Sequence, residues 1–246
     1  MRDALRHFVA EFVGIFALVF VGSAALINAR NPAGGYGLIE IALAHGLILA
    51  LLVSATMRIS GHFNPAVTLG FLVTRRIEPA MAGVYILAQL MGAMAAAYVL
   101  KWTFADAIFM AARGGGQAVA LEVTLPQALV LEAIATFFLV FVIFGTAVDP
   151  QAPKLGGFAI GLTVAADILA IGPLTGASMN PARSFGPAVA SGIFEGQLIY
   201  WVGPIVGGLV AALLYDRLFL PRAQEPLDHG AVKPAAGGSP RVHGAA

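Results

Sequence analysis

The tripeptide Asn-Pro-Ala occurs twice in this chain, as Asn64-Pro65-Ala66 and as Asn180-Pro181-Ala182. Asn is a favoured N-cap, and Pro suits the first helical position and disfavours helical geometry for the residue before it. Each triplet therefore predicts the start of a helix. The apolar stretches that follow, 65–74 and 181–191, would each be about 15 Å long, half the thickness of a bilayer core.

The rest of the chain has the composition of a membrane protein. Hydrophobic residues make up 59% of the sequence and charged residues 11%, whereas a soluble domain has about 25% charged residues. A helix needs about 20 mainly apolar residues to cross a bilayer. Six stretches meet this requirement, namely 8–27, 38–57, 79–100, 127–148, 156–171 and 198–218.

The chain also repeats itself. Glu132 follows Glu11 by 121 positions within similar apolar sequences, and Asn180 follows Asn64 by 116. The halves, about 5–101 and 127–219, each contain three spans, so the second half is inverted relative to the first. We predict an all-α membrane protein with six transmembrane helices and two re-entrant half-helices that point at each other, in one transmembrane domain over 1–220.

The distribution of Lys and Arg in the loops predicts the orientation. With both termini in the cytoplasm, the inner side carries Arg2, Arg6, Arg58, Arg75, Arg76, Lys154, Arg217 and Arg222, and the outer side carries Arg30, Lys101, Arg113 and Arg183. We expect a multi-pass protein of a cell membrane, plasma or inner. The connection 102–126 is predicted as a long outer loop, and 221–246, rich in Pro, Gly and Ala, as a disordered cytoplasmic tail.

Half-length helices leave non-helical backbone at membrane depth. Such backbone is stable there only if it is buried in protein or lines a water-filled cavity. If Asn64 and Asn180 each cap their helix through the side-chain oxygen, each amide NH₂ remains as a donor facing the midplane. A water there would accept from both, and the two positive helix ends would repel cations. The pattern predicts a pore that passes water and excludes protons.

Two segments around the triplets resemble the signature loops of the aquaporin, or major intrinsic protein, family. They are 62–68 (His-Phe-Asn-Pro-Ala-Val-Thr) and 176–184 (Gly-Ala-Ser-Met-Asn-Pro-Ala-Arg-Ser). The resemblance extends over about 5–220. It implies a passive water channel that assembles as a homotetramer with one pore per subunit.

Two acidic residues, Glu11 and Glu132, lie near the starts of spans one and four, where an ionised carboxylate is costly. One interpretation is a proton or cation site. The other, which the family resemblance favours, is that each carboxylate accepts hydrogen bonds from a re-entrant loop and braces it.

The resemblance also implies a selectivity filter, formed by His45, Ile168, Ala177 and Arg183. Arg183 would offer fixed donors to a solute and repel cations. The alternative interpretation of His45 is a histidine that only packs between helices. His, Ile, Ala and Arg at these positions are similar to the filter of plant vacuolar intrinsic proteins. Hydrogen peroxide, ammonia, urea or glycerol are therefore expected as additional permeants.

Other functions agree less well with the sequence. A dedicated glycerol facilitator is disfavoured by Ser184, where such relatives have Asp, and a secondary transporter by the absence of an ionisable cluster in the midplane sequence. Without Cys or a His-Glu-x-x-His motif, we expect no catalytic residue, metal site or cofactor. Since 14 basic residues balance 13 acidic ones, nucleic acid is not an expected partner. The expected partners are water, small neutral solutes and the lipid bilayer.

Overall fold

A computed structural model describes residues 2–153 and 155–221. Their regular elements are all helical, and six helices are long and apolar enough to cross a membrane. These are α1 (Arg2–Arg30), α2 (Leu38–Thr56), α4 (Pro79–Thr103), α6 (Leu125–Ile143, continued by a π-helical turn, Phe144–Val148), α7 (Phe158–Thr175) and α9 (Gln197–Leu218). The prediction of six spans is confirmed.

The two short helices begin at the prolines of the triplets. They are α3 (Pro65–Val73) and α8 (Pro181–Ser191), about 14 and 16 Å long at 1.5 Å per residue. The first ends one residue earlier than predicted, because Thr74 forms the C-cap. The prediction of two half-length helices is confirmed.

Close packing between the spans depends on glycine. Gly92 of α4 lies against the backbone of α1, where an added Cβ would be 2.5 Å from the carbonyl oxygen of Phe12. In the second half, Gly207 of α9 lies against the carbonyl oxygen of Ala133 in α6. Small residues at such positions let membrane helices approach closely, and α1–α4 and α6–α9 are the equivalent pairs of the two repeats.

The two halves also exchange their short helices. α3 packs mainly against α9 of the second half, and α8 packs mainly against α4 of the first half. Each half therefore completes the packing of the other. Arg2 and Leu218 lie on the same face of the bundle, the terminal face.

The prediction that 102–126 is a loop is wrong in part. It contains the short helix α5 (Asp106–Ala111) and a 3₁₀ turn, Arg113–Gly115. Phe109 of α5 is fully buried beside Ile27 and Leu100, so tertiary packing holds a helix too short to give a periodic signal. The predicted disordered tail lies outside the described residues except for Pro221.

Candidate functional site

The N-termini of α3 and α8 meet in the middle of the bundle. The side-chain oxygen Oδ1 of Asn64 accepts a hydrogen bond from the backbone N–H of Ala66 at 2.9 Å. Oδ1 of Asn180 accepts from the N–H groups of Ala182 at 3.0 Å and Arg183 at 3.2 Å. Pro65 and Pro181 occupy the first helical positions. Both asparagines therefore act as helix caps, as predicted from their residue type.

The amide groups of the asparagines are more constrained than the sequence suggested. Nδ2 of Asn64 donates to the backbone oxygen of Met179 at 2.7 Å, and Nδ2 of Asn180 donates to that of Phe63 at 2.8 Å. Each loop is thus tied to the other by a reciprocal hydrogen bond. Because an amide has two N–H groups, one per asparagine remains for the passage, not the whole NH₂ group.

Glu11 is fully buried and accepts four hydrogen bonds. Its donors include the backbone N–H groups of His62 (2.9 Å) and Phe63 (2.7 Å), together with the side chains of Ser60 and Gln89 (Nε2, 2.7 Å). Phe63 has a φ of 50°, a left-handed conformation that is unfavourable for a bulky residue. The hydrogen bonds to Glu11 offset this strain at the loop that leads into α3.

Glu132 has the same relation to the second loop. It accepts from the N–H groups of Ser178 (2.9 Å) and Met179 (2.8 Å) and from Oγ1 of Thr175 (2.7 Å). Met179 also has a positive φ, 53°. Tyr200, which is buried, donates to the backbone oxygen of Thr175 at 2.8 Å. Both predicted braces therefore contact the loops assigned to them.

The roles of two residues in these networks were not predicted from the sequence. Gln89 is fully buried in α4 and joins Glu11 to Thr68 of α3. The hydrogen bond from Tyr200 of α9 to the second loop was not predicted either. A polar residue such as Gln89 in a span whose other central residues are apolar was the available signal, because an unpaired amide is costly in a membrane.

A narrow passage runs past the meeting point of the loops. Its free volume is about 30 Å³, enough for about two water molecules at about 10–15 Å³ each. The walls are mostly aliphatic and come from four spans and α3: Leu18, Leu49, Val53, Val67, Leu139, Ile143, Ile160 and Val164. Asn64 and Asn180 also line the passage.

All four predicted filter residues line this passage and are buried. Nη2 of Arg183 donates to Nε2 of His45 at 2.9 Å, and Nδ1 of His45 lies 2.8 Å from the backbone oxygen of Ile41. Since arginine only donates and a carbonyl only accepts, Nδ1 carries the proton and the ring is neutral. Gly22 of α1 leaves room for this ring, because an added Cβ would collide with it.

The other two nitrogens of the Arg183 guanidinium have no hydrogen-bond partner among the described residues. Nε and Nη1 of Arg183 are enclosed and form no hydrogen bond within residues 2–153 and 155–221. Ile168 and Ala177 contribute apolar surface to the same passage. Its lining therefore combines unpaired donors of Arg183 with apolar side chains.

The comparisons with known proteins agree with this geometry. The family model described as "Major intrinsic protein" matches residues 1–215. Aquaporin TIP4-4 of Zea mays is 40% identical over 235 residues, covering 91% of this chain and 90% of the relative. Aquaporin TIP2-1 of Arabidopsis thaliana is 42% identical, covering 88% of each. The aquaglyceroporin from Plasmodium falciparum has a similar structure, with a TM-score of 0.75 and 27% identity, covering 87% of this chain and 96% of that one.

Proposed function

The chain belongs to the major intrinsic protein family, the aquaporins, and we infer from this membership and from the passage that it is a passive transmembrane water channel. It crosses the membrane several times, and its aquaporin relatives match it over most of their length. The observation that carries the proposal is the meeting of two Asn-capped half-helices at a passage whose free volume is enough for about two water molecules.

We propose that Asn64 and Asn180 form the barrier to protons. One amide N–H of each is held by the opposite loop, which fixes the direction of the other. A water that accepts from both cannot also accept from its neighbours in the file, so the relay of protons is interrupted. The positive ends of α3 and α8 converge at the same point and repel cations, including hydronium.

We propose that His45, Ile168, Ala177 and Arg183 form the selectivity filter. A permeant with an acceptor atom would bind Nε or Nη1 of Arg183, and the apolar wall at Ile168 would suit solutes with few polar groups. Hydrogen peroxide, ammonia, urea or glycerol meet this description. A dedicated glycerol facilitator is the second candidate, because a similar solved structure is that of an aquaglyceroporin. The small free volume of the passage favours water.

The proposed setting is a cell membrane, plasma or inner, with the terminal face in the cytoplasm, as the excess of Arg there indicates. We further propose a homotetramer with one pore per subunit, as the family resemblance implies. Exposed leucines and isoleucines spaced four residues apart on α2 are available for lipid or neighbouring subunits: Ile39, Leu43, Leu47 and Leu51. We propose no enzymatic activity, since the described polar residues at the site serve as caps, braces or filter.

The decisive experiment is stopped-flow permeability of proteoliposomes to water, glycerol, urea, ammonia and hydrogen peroxide. We expect water flow far above that of empty liposomes, with a low activation energy, and slower flow of one or more of the other solutes. Water flow equal to that of empty liposomes would refute the channel. Uptake of a solute driven by a proton gradient would instead indicate a secondary transporter.

A further inference from the structure

Among the described residues, a third buried carboxyl group takes no part in the proposed barrier, braces or filter. Asp167 lies in α7 directly before Ile168, and its side chain is only 8% exposed. Its Oδ2 atom is enclosed without a hydrogen-bond partner among the described residues. Glu11 and Glu132, by contrast, each accept at least three hydrogen bonds. Asp167 is therefore not a brace of the same kind.

The neighbours of α7 show which way Asp167 points. Val164 and Ile168 line the passage, and Ala165 packs beside Gly46 of α2. At about 100° per residue, Ala165 and Asp167 fall on opposite flanks of the passage-lining stripe, each about 80° from its centre. The other main neighbour of α7 is α6. Asp167 thus lies on the α6 side of the channel wall, at the level of the filter.

Nothing on the neighbouring helices is placed to neutralise an ionised Asp167. The helices α2, α6 and α7 contain no Lys or Arg. Their other titratable groups are Glu132 on α6, and Glu40 and His45 on α2. Glu40 accepts a hydrogen bond from the N–H of Gly37 at 2.8 Å, at the N-terminal end of α2. His45 is neutral and accepts a hydrogen bond from Arg183.

No ion pair within residues 2–153 and 155–221 includes Asp167. Arg183, the cation of the filter, donates to His45, and Glu132 on α6 is a second buried acidic group. An ionised Asp167 would therefore be an additional negative charge that has no ion-pair partner, and whose Oδ2 is unpaired, among the described residues. Such a group is costly inside a membrane, where ionisable residues normally pair with one another or with the backbone.

We propose that Asp167 determines the charge selectivity of the channel. Its carboxyl group is protonated and therefore neutral, and this neutral state keeps the filter closed to cations. The inference rests on the proposed function as a water channel. Loss of the proton would place a negative charge beside the filter and offset the positive potential of Arg183 and the half-helix ends. A unit charge at about 10 Å, with an effective dielectric constant of about 20, lowers a cation barrier enough for about a tenfold faster flux.

The test measures potassium efflux and water flow from the same proteoliposomes at mildly acidic and at alkaline pH. The wild type should show little potassium efflux at acidic pH and about tenfold faster efflux at alkaline pH. Asp167→Asn, which has the same shape and no charge, should show little potassium efflux at both pH values, with unchanged water flow. Asp106→Asn, at an exposed position of α5, is the matched control and should behave as the wild type.

Infrared spectroscopy tests the protonation itself. The wild type should show the C=O absorption of a protonated carboxylic acid that fades at alkaline pH, and Asp167→Asn should lack it. Potassium efflux of the wild type that does not depend on pH, or a pH dependence that persists in Asp167→Asn, would overturn the inference, whereas absent water flow would overturn the proposed function. If Asp167→Asn fails to assemble, the wild-type efflux and infrared titrations still decide.

Discussion

Nη2 of Arg183 lies 2.9 Å from Nε2 of His45, and this contact sets the orientation of the guanidinium in the passage. His45 can accept this hydrogen bond because its Nδ1–H is bound to the carbonyl oxygen of Ile41 one turn earlier. The ring therefore holds one end of Arg183 against α2 and leaves Nε and Nη1 for permeants. His45 thus positions Arg183 as well as lining the filter.

We expect His45→Leu to release Arg183 into the passage and to reduce water flow, because the guanidinium would occupy space that water uses. Leaving the buried Nη2 without an acceptor should also cost about 1–3 kcal/mol of stability. His45→Gln retains an acceptor oxygen and should keep more of both properties. Stopped-flow water permeability and thermal unfolding in detergent measure them, and equal loss in the two variants would contradict the positioning role.

Removal of the arginine itself tests the filter. Arg183→Val should leave water flow intact or raise it, and it should increase leakage of larger neutral solutes or protons, because the fixed donors and the positive charge are lost. Glycerol uptake and the dissipation of a pH gradient in proteoliposomes measure the two effects. Unchanged selectivity would remove Arg183 from the filter.

The brace at the second loop should be important for stability. Glu132→Gln retains the size of the side chain but presents an NH₂ group to backbone N–H groups that now donate to the carboxylate. At least one buried donor would be left unpaired, and we expect a loss of about 3 kcal/mol and reduced water flow. Glu122→Gln, on an exposed connection, is the control. Thermal unfolding compares them, and equal stabilities would argue against the brace.

The sequence predicted the fold well because the constraints of a membrane are few and strong. Span length, the paired triplets and the repeat of Glu11 at Glu132 were enough to predict six spans and two opposed half-helices. The residue types at the caps also predicted the cap hydrogen bonds, since an Asn before Pro has few other roles at a helix start.

Details that depend on contacts between distant parts of the chain were not predictable. The donation of Asn64 to Met179 and of Asn180 to Phe63 requires the two loops to touch, and no local pattern encodes that. Helix α5 forms because Phe109 has a buried site, and six residues give no periodicity. Filter positions came from family resemblance, since a single His in an apolar helix does not indicate what it contacts.

Packing of the spans should depend on Gly207. An added Cβ would collide with the carbonyl oxygen of Ala133, so Gly207→Ala must push α9 away from α6 and should cost about 2 kcal/mol or more. Gly83→Ala is the control, because no atom lies within 4 Å of the added Cβ, and it should be neutral or slightly stabilising. Thermal unfolding of the two variants measures the difference, and similar values would show that α6 and α9 can separate without loss.

Mercurial compounds should not block the natural channel, because the sequence contains no cysteine. Ala177 lines the passage at the constriction and is 1% exposed, so a thiol at this position would place bound mercury in the path of water. Ala177→Cys should therefore carry water and lose most of that flow on addition of mercuric chloride, with recovery after a reducing thiol. Ala80→Cys, at an exposed position of α4, should remain insensitive. Inhibition of the wild type, or resistance of Ala177→Cys, would show that water does not pass beside Ala177.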